Sequence, residues 1–174
     1  MNYIKITKND VANGPGVRCV LWVAGCSLNC KGCHNKSAQD FKAGQLFDDD
    51  AKQELFDALD KPYIRGITIS GGHAIERTNT IPILNLIEEI KEKFPSKDIW
   101  LYTGLKLVMD DFTPWEKNIV IPKEIFRKCD VVVDGPYIEE QRDITLAFRG
   151  SRNQRLIDVK ETLKQGKIIT LQND

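Results

Sequence analysis

Short apolar runs alternate along this chain with longer amphipathic stretches. Arg18 to Ala24 reads RCVLWVA, an apolar run of strand length that leads straight into Gly25-Cys26. Asp48 to Asp60 carries apolar residues at Ala51, Leu55, Ala58 and Leu59, the stripe of an amphipathic helix, with Asp48 placed as its N-cap. Gly66 to Ser70 (GITIS) is a second strand and runs into Gly71-Gly72. Thr80 to Phe94 puts Ile83, Leu84, Ile87, Ile90 and Phe94 on one helical face, and Pro95 stops it. Asp98 to Tyr102 (DIWLY) and Asp130 to Val133 (DVVV) are further strands, followed by Thr103-Gly104 and Asp134-Gly135. Ile144–Phe148 reads as another short strand, and the tail adds two, at Arg155–Asp158 and Lys167–Leu171.

This alternation predicts an α/β fold with a mostly parallel sheet and crossover helices. No repeat, low-complexity tract or linker interrupts residues 1–174, so a single domain is expected. The four main strands each end, on the C-terminal side, in a polar or glycine-rich turn. In a parallel sheet those ends lie together, and such folds bind ligands there. Cys26, Gly71, Gly72, Thr103 and Asp134 are therefore expected to converge.

Charge changes little in this picture. Twenty-five lysines and arginines balance 25 aspartates and glutamates, which leaves no electrostatic reason to expect nucleic acid or an anionic membrane as partner. No run approaches the roughly 20 apolar residues of a membrane span, and MNYIKITKND has no apolar h-region, so a cytoplasmic location is expected.

Cysteine changes the picture. Of five cysteines, three fall within eight residues, as Cys26-x3-Cys30-x2-Cys33 on the loop after the first strand. Thiolates are soft ligands suited to zinc or to iron–sulfur clusters. A structural zinc site normally takes four ligands, often in two separated hooks, whereas this loop has three and no second hook. Three thiolates on a four-iron cubane leave one iron free to bind a small molecule carrying an amine and a carboxylate. The alternative is a zinc knob with His34 as fourth ligand, although His34 adjoins Cys33 and cannot easily reach the same ion. Cys19 and Cys129 sit in or beside apolar runs and read as small core residues.

The cysteine pattern resembles that of the radical S-adenosylmethionine enzymes. Asn13-Gly14-Pro15-Gly16-Val17-Arg18 ahead of the loop and Cys33-His34-Asn35 closing it are similar to the activases of glycyl-radical enzymes. Ser70-Gly71-Gly72, the Lys97–Gly104 stretch, Val133-Asp134-Gly135 and Phe148-Arg149-Gly150-Ser151 with Asn153-Gln154 resemble, in order, the branch that serves the anaerobic (class III) ribonucleoside-triphosphate reductase. The resemblance runs over residues 1–155. It departs at His73-Ala74, where the family has an acidic residue and proline, in an apparent insertion at Phe112–Lys128, and in a longer tail beyond Leu156.

The resemblance implies an incomplete (β/α) barrel of the radical S-adenosylmethionine type. It also implies a 4Fe–4S cluster on Cys26, Cys30 and Cys33, with S-adenosylmethionine chelating the fourth iron. One electron from an external donor such as reduced flavodoxin then yields methionine and a 5′-deoxyadenosyl radical, which takes hydrogen from a glycine of the large reductase subunit. Gly71 and Gly72 would let the backbone approach the methionyl amine, and the backbone of Gly32, Cys33 and His34 would lie near the adenine. Thr103 and Asp134 are further candidates for ordering the methionyl carboxylate or the ribose. Arg149, Ser151, Asn153 and Gln154 match a motif whose role the sequence does not give. Trp100 reads as core, and Arg18 has an ordinary alternative as a surface charge at a strand end. For His73 two roles compete: local bonding with the backbone of Gly72 binding the ligand, or direct acceptance of the methionyl ammonium. The rival functions are activation of a different glycyl-radical enzyme, radical chemistry on a small molecule, and a non-catalytic zinc module.

Overall fold

The computed structural model describes residues 1–108, 113–114 and 123–171. The chain begins with β1 (Asn2–Asp10), which turns back into β2 (Val17–Val23), and the cysteine loop follows. A 3-10 turn at Lys36–Gln39 and the short β3 (Gln45–Leu46) lead to α1 (Asp49–Leu59). Then come β4 (Ile64–Gly71), α2 (Thr80–Lys93), β5 (Asp98–Tyr102) and the small β6 (Leu107–Val108) and β7 (Thr113–Pro114). A short α3 (Glu124–Arg127), β8 (Val131–Asp134), β9 (Arg155–Asp158) and α4 (Val159–Gln165) complete the order.

Seven strands form one open sheet in the order β3-β1-β2-β4-β5-β8-β9. The central four, β2, β4, β5 and β8, run parallel and stand side by side in chain order. Strands β1, β3 and β9 add to them antiparallel, so the sheet has the expected parallel centre with antiparallel borders. The predicted helices form where their stripes put them. Asp48 caps α1 by accepting the Ala51 N–H at 3.0 Å, worth about 1 kcal/mol to a helix. Two expected strands do not form. Ile144–Phe148 is a succession of turns, and Lys167–Leu171 makes one bridge, Thr170 to Ile157, rather than a strand. The expected insertion at 112–128 lies mainly outside the described residues. Among those described, no helix is long and apolar enough to cross a membrane.

Alternation along the strands divides the core in two. Cys19, Leu21 and Val23 of β2, Ile67 and Ile69 of β4, and Ile99 and Leu101 of β5 pack with Leu55, Leu59, Ile83, Ile87 and Ile90 of the helices. Cys19 and Cys129 are both buried, in keeping with small core residues, and burial pushes the Cys19 thiol up to about 11. Trp100, Val131, Val133 and Leu156 form a second, smaller cluster, with Tyr102 and Phe148 against it.

Arg18 belongs to the interior, which corrects its reading as a surface charge. Its side chain is wholly buried. The guanidinium donates to Thr68 Oγ1 and to the Ile67 carbonyl, each at 2.9 Å, and lies 5.2 Å from the centre of the Trp100 ring. Asp98 Oδ1 stands 2.6 Å away, at an angle that makes it a charge contact rather than a hydrogen bond. The Thr68 hydroxyl in turn donates to the Asn13 carbonyl. The segment before β2 is thus fastened to the middle of β4, away from the cysteine loop.

Candidate active site

The four strand exits meet as their parallel arrangement requires. Gly72 N–H donates to Val23 O and His73 N–H to Gly25 O, both at 2.8 Å, joining the exits of β4 and β2. Thr103 N–H donates to Val133 O, joining β5 to β8, and Gly135 N–H reaches Leu105 O. Gly71 adopts φ +111°, and a Cβ there would lie 2.5 Å from Val23 O. At Gly72 a Cβ would stand 2.5 Å from Gly25 O and 2.6 Å from Ala38 O. Only glycine lets these backbones approach so closely.

The cysteine loop crosses the end of the sheet. Gly25 N–H donates to Ala38 O and Cys26 N–H to Gln39 O, which ties its two ends together. Cys26, Cys30 and Cys33 are free thiols of intermediate exposure, and Cys33 N–H closes a turn on Cys30 O. Burial pushes the Cys26 thiol up. The Leu28 N–H pulls against that, and the charge of Glu76 adds to it. His34 is exposed beside Cys33. Among the described residues no group of three or more His, Cys, Asp or Glu side chains is gathered to hold a single ion. The donor set is three soft thiols spread along one loop. That suits a multinuclear cluster, in which each thiolate takes its own iron.

The segment after β8 lies against this loop. Lys31 pairs with Glu140 at 3.1 Å, and a Cβ on Gly32 would collide with the Glu139 carboxylate, which accepts the Tyr137 hydroxyl at 2.6 Å. The Ser151–Gln154 stretch gives this segment its shape. Ser151 Oγ accepts the Ile138 N–H at 3.2 Å, Asn153 Nδ2 donates to Pro136 O at 2.7 Å, and Gln154 Nε2 donates to Gly135 O at 3.2 Å. These side chains build the exit of β8.

Two candidate residues turn inward. The carboxylate of Asp134 is fully buried; Oδ1 accepts Arg155 Nε at 2.9 Å, while Oδ2 pairs with the same guanidinium and accepts the Leu107 N–H at 2.8 Å. It holds β9 and the Leu107 strand to β8. Buried Thr103 accepts the Leu105 N–H at 3.1 Å, and its Oγ1 lies 3.0 Å from His73 Nε2.

His73 is buried, and its other ring nitrogen, Nδ1, lies 3.4 Å from Glu76 Oε1. A carboxylate only accepts, so Nδ1 carries the proton facing Glu76. Glu76 is the residue that the sequence reading passed over. The same Oε1 accepts the Ser27 N–H at 2.7 Å and the Ser27 hydroxyl at 2.6 Å. The hydrogen bond from His73 first, and then those from Ser27, hold its carboxyl down to about 2 against the opposing effect of burial. A chain of contacts, Ser27–Glu76–His73–Thr103, thus links the exits of β2, β4 and β5.

Comparison with known proteins gives the family of the chain. Residues 12–157 match the model of a 4Fe-4S single cluster domain. A protein of Haemophilus influenzae is 40% identical over 156 residues, covering 88% of this chain and 96% of its own length. One from Enterobacteria phage T4 is 41% identical, covering 90% and 93%, and one from Escherichia coli is 36% identical, covering 88% and 96%. Each of the three is an anaerobic ribonucleoside-triphosphate reductase-activating protein.

Proposed function

Because this chain belongs to the family of anaerobic ribonucleoside-triphosphate reductase-activating proteins, we propose that it is a radical S-adenosylmethionine activase of the large reductase subunit, built on an incomplete barrel. The observation that carries the reading is the loop of three free thiols set across the shared end of four parallel strands, beside Gly71 and Gly72. Cys26, Cys30 and Cys33 hold the 4Fe–4S cluster. When bound, the cluster supplies one electron to S-adenosylmethionine, whose radical fragment removes hydrogen from a glycine of the reductase.

The chain itself binds and orients. The close approach at Gly71 and Gly72 keeps side chains away from the cluster loop. The backbone there offers the methionyl end its polar groups, and the backbone of Gly32, Cys33 and His34 faces the adenine. Asp134 and Thr103 act from behind, as the supports of the strand exits. The sheet is open, which leaves a side by which a loop of the reductase can enter, while an external donor supplies the electron to the cluster.

Anaerobic reconstitution tests the reading. A brown protein with about four irons per chain should, with reductant, S-adenosylmethionine and the reductase subunit, produce an electron-spin signal of a glycyl radical on that subunit. A colourless protein with one zinc, or a radical that forms without this chain, would refute it.

His73 stands where the family resemblance leads one to expect an acid. Its ring bonds Glu76 and Thr103, so the backbone at Gly72 is left to bind the ligand. His73→Ala is then expected to change the affinity for S-adenosylmethionine less than tenfold, about 1.4 kcal/mol, by equilibrium binding to the reconstituted protein. A larger loss with iron content unchanged would make His73 a direct ligand.

A further inference from the structure

Glu76 has no part in holding the cluster, yet its side chain is only 12% exposed and its carboxylate is bonded to Ser27, the residue next to Cys26. Three donors converge on one of its oxygens: the Ser27 N–H, the Ser27 hydroxyl and His73 Nδ1. Such convergence stabilises the ionised form. A negative charge is therefore fixed against the residue that follows the first thiolate of the loop, on a mostly buried side chain.

We propose that Glu76 sets the reduction potential of the cluster, holding it low through its fixed negative charge and its capture of both Ser27 donors. The inference rests on the reading of Cys26, Cys30 and Cys33 as cluster ligands. Reduction transfers one electron from the external donor to the cluster; no bond forms or breaks, and the cluster gains one unit of negative charge. A carboxylate beside it opposes that gain and moves the potential down. Hydrogen bonds to cluster sulfurs move the potential the other way, and Ser27, the residue next to Cys26, has both of its donors turned to Glu76 instead. A low potential is what an electron destined for a sulfonium requires, since the driving force is the gap between the two couples.

Two variants separate charge from tethering. Glu76→Gln keeps an oxygen that accepts from Ser27 and removes the charge. Ser27→Ala removes one hydrogen bond and leaves both the charge and the Ser27 N–H contact. The wild type and both variants are reconstituted anaerobically, iron per chain is determined, and the midpoint potential is read by titration with a chemical reductant. Glu76→Gln should retain its iron and titrate at a more positive potential, while Ser27→Ala should stay near the wild type. An unchanged potential in fully loaded Glu76→Gln would overturn the proposal, as would an equal shift in Ser27→Ala. Loss of iron from Glu76→Gln would make the residue a tether for the loop and overturn it too. If the wild type assembles no cluster, it is the ligand assignment that fails.

Discussion

Alanine at Cys26, Cys30 or Cys33, one at a time, is expected to abolish the reductive cleavage of S-adenosylmethionine, with methionine production falling to background. The three thiols share one loop, and in the proposed assignment each is one corner of the same site rather than a replaceable contact. Removing a corner leaves an iron without a protein ligand, and no nearby thiol can replace it: Cys19 is 0% exposed and packs with the helices, and Cys129 is buried in the same core. Alanine at Cys19 or Cys129 should accordingly leave cleavage near the wild-type rate, at a stability cost of about 1 kcal/mol for a small core truncation. Iron content and methionine release, measured side by side on the five variants, decide the point. Iron lost from Cys19→Ala would mean that the ligand set has been misassigned.

The second large effect lies away from the cysteine loop and concerns stability. Arg18→Met is expected to destabilise the fold by about 3–5 kcal/mol, the usual result of breaking a buried charge pair, against a total of about 5–15 kcal/mol for a domain. The substitution leaves Asp98 Oδ1 buried without its countercharge, strips Thr68 Oγ1 and the Ile67 carbonyl of their donor, and removes the cation from the Trp100 ring. Arg65, 3.0 Å from Asp98 Oδ2, offsets part of the loss but is itself largely exposed. Arg18→Lys should recover only part of it, because a single ammonium cannot reproduce the fork of donors. Urea denaturation of the metal-free protein measures both. A loss below about 1 kcal/mol would show that the pair gains little over its desolvation.

The central strands and the meeting of their ends were legible because each depends on local pattern and on the handedness of crossovers. Strand β1 was not. Its residues, NYIKITKND, mix three charges into a half-exposed strand, and only pairing with β2 makes it one; Lys5 even lies over the Trp22 ring, 5.5 Å from its centre. The burial of Arg18 was invisible for a different reason. Its countercharge, Asp98, is on β5, and nothing local to either residue announces the other. Asp134 and Arg155 are the same case. Glu76 escaped notice because the expected acid belongs directly after the two glycines, and a His-x-x-Glu spacing gains meaning only once the turn brings Ser27 within reach. Ile144–Phe148 has strand composition, but Phe148 takes φ +59°, a conformation no strand contains, and its carbonyl accepts the Tyr102 hydroxyl.

An open sheet has two borders, and each is a row of backbone groups that a foreign strand could pair with. At one border the two residues of β3 cover only Asn2 and Tyr3 of β1, and the rest of that strand carries Lys5, Lys8 and Asp10 and two breaks of register against β2. At the other, the chain after α4 returns along β9: Asp158 N–H donates to Ile169 O and Leu171 N–H to Leu156 O, with the bridge at Thr170 between them. Charge and broken register at the first border and the paired tail at the second make both poor templates among the described residues. The molecule can therefore leave its sheet unclosed, as the proposed entry of a reductase loop requires, without inviting its own copies to extend it into a fibre.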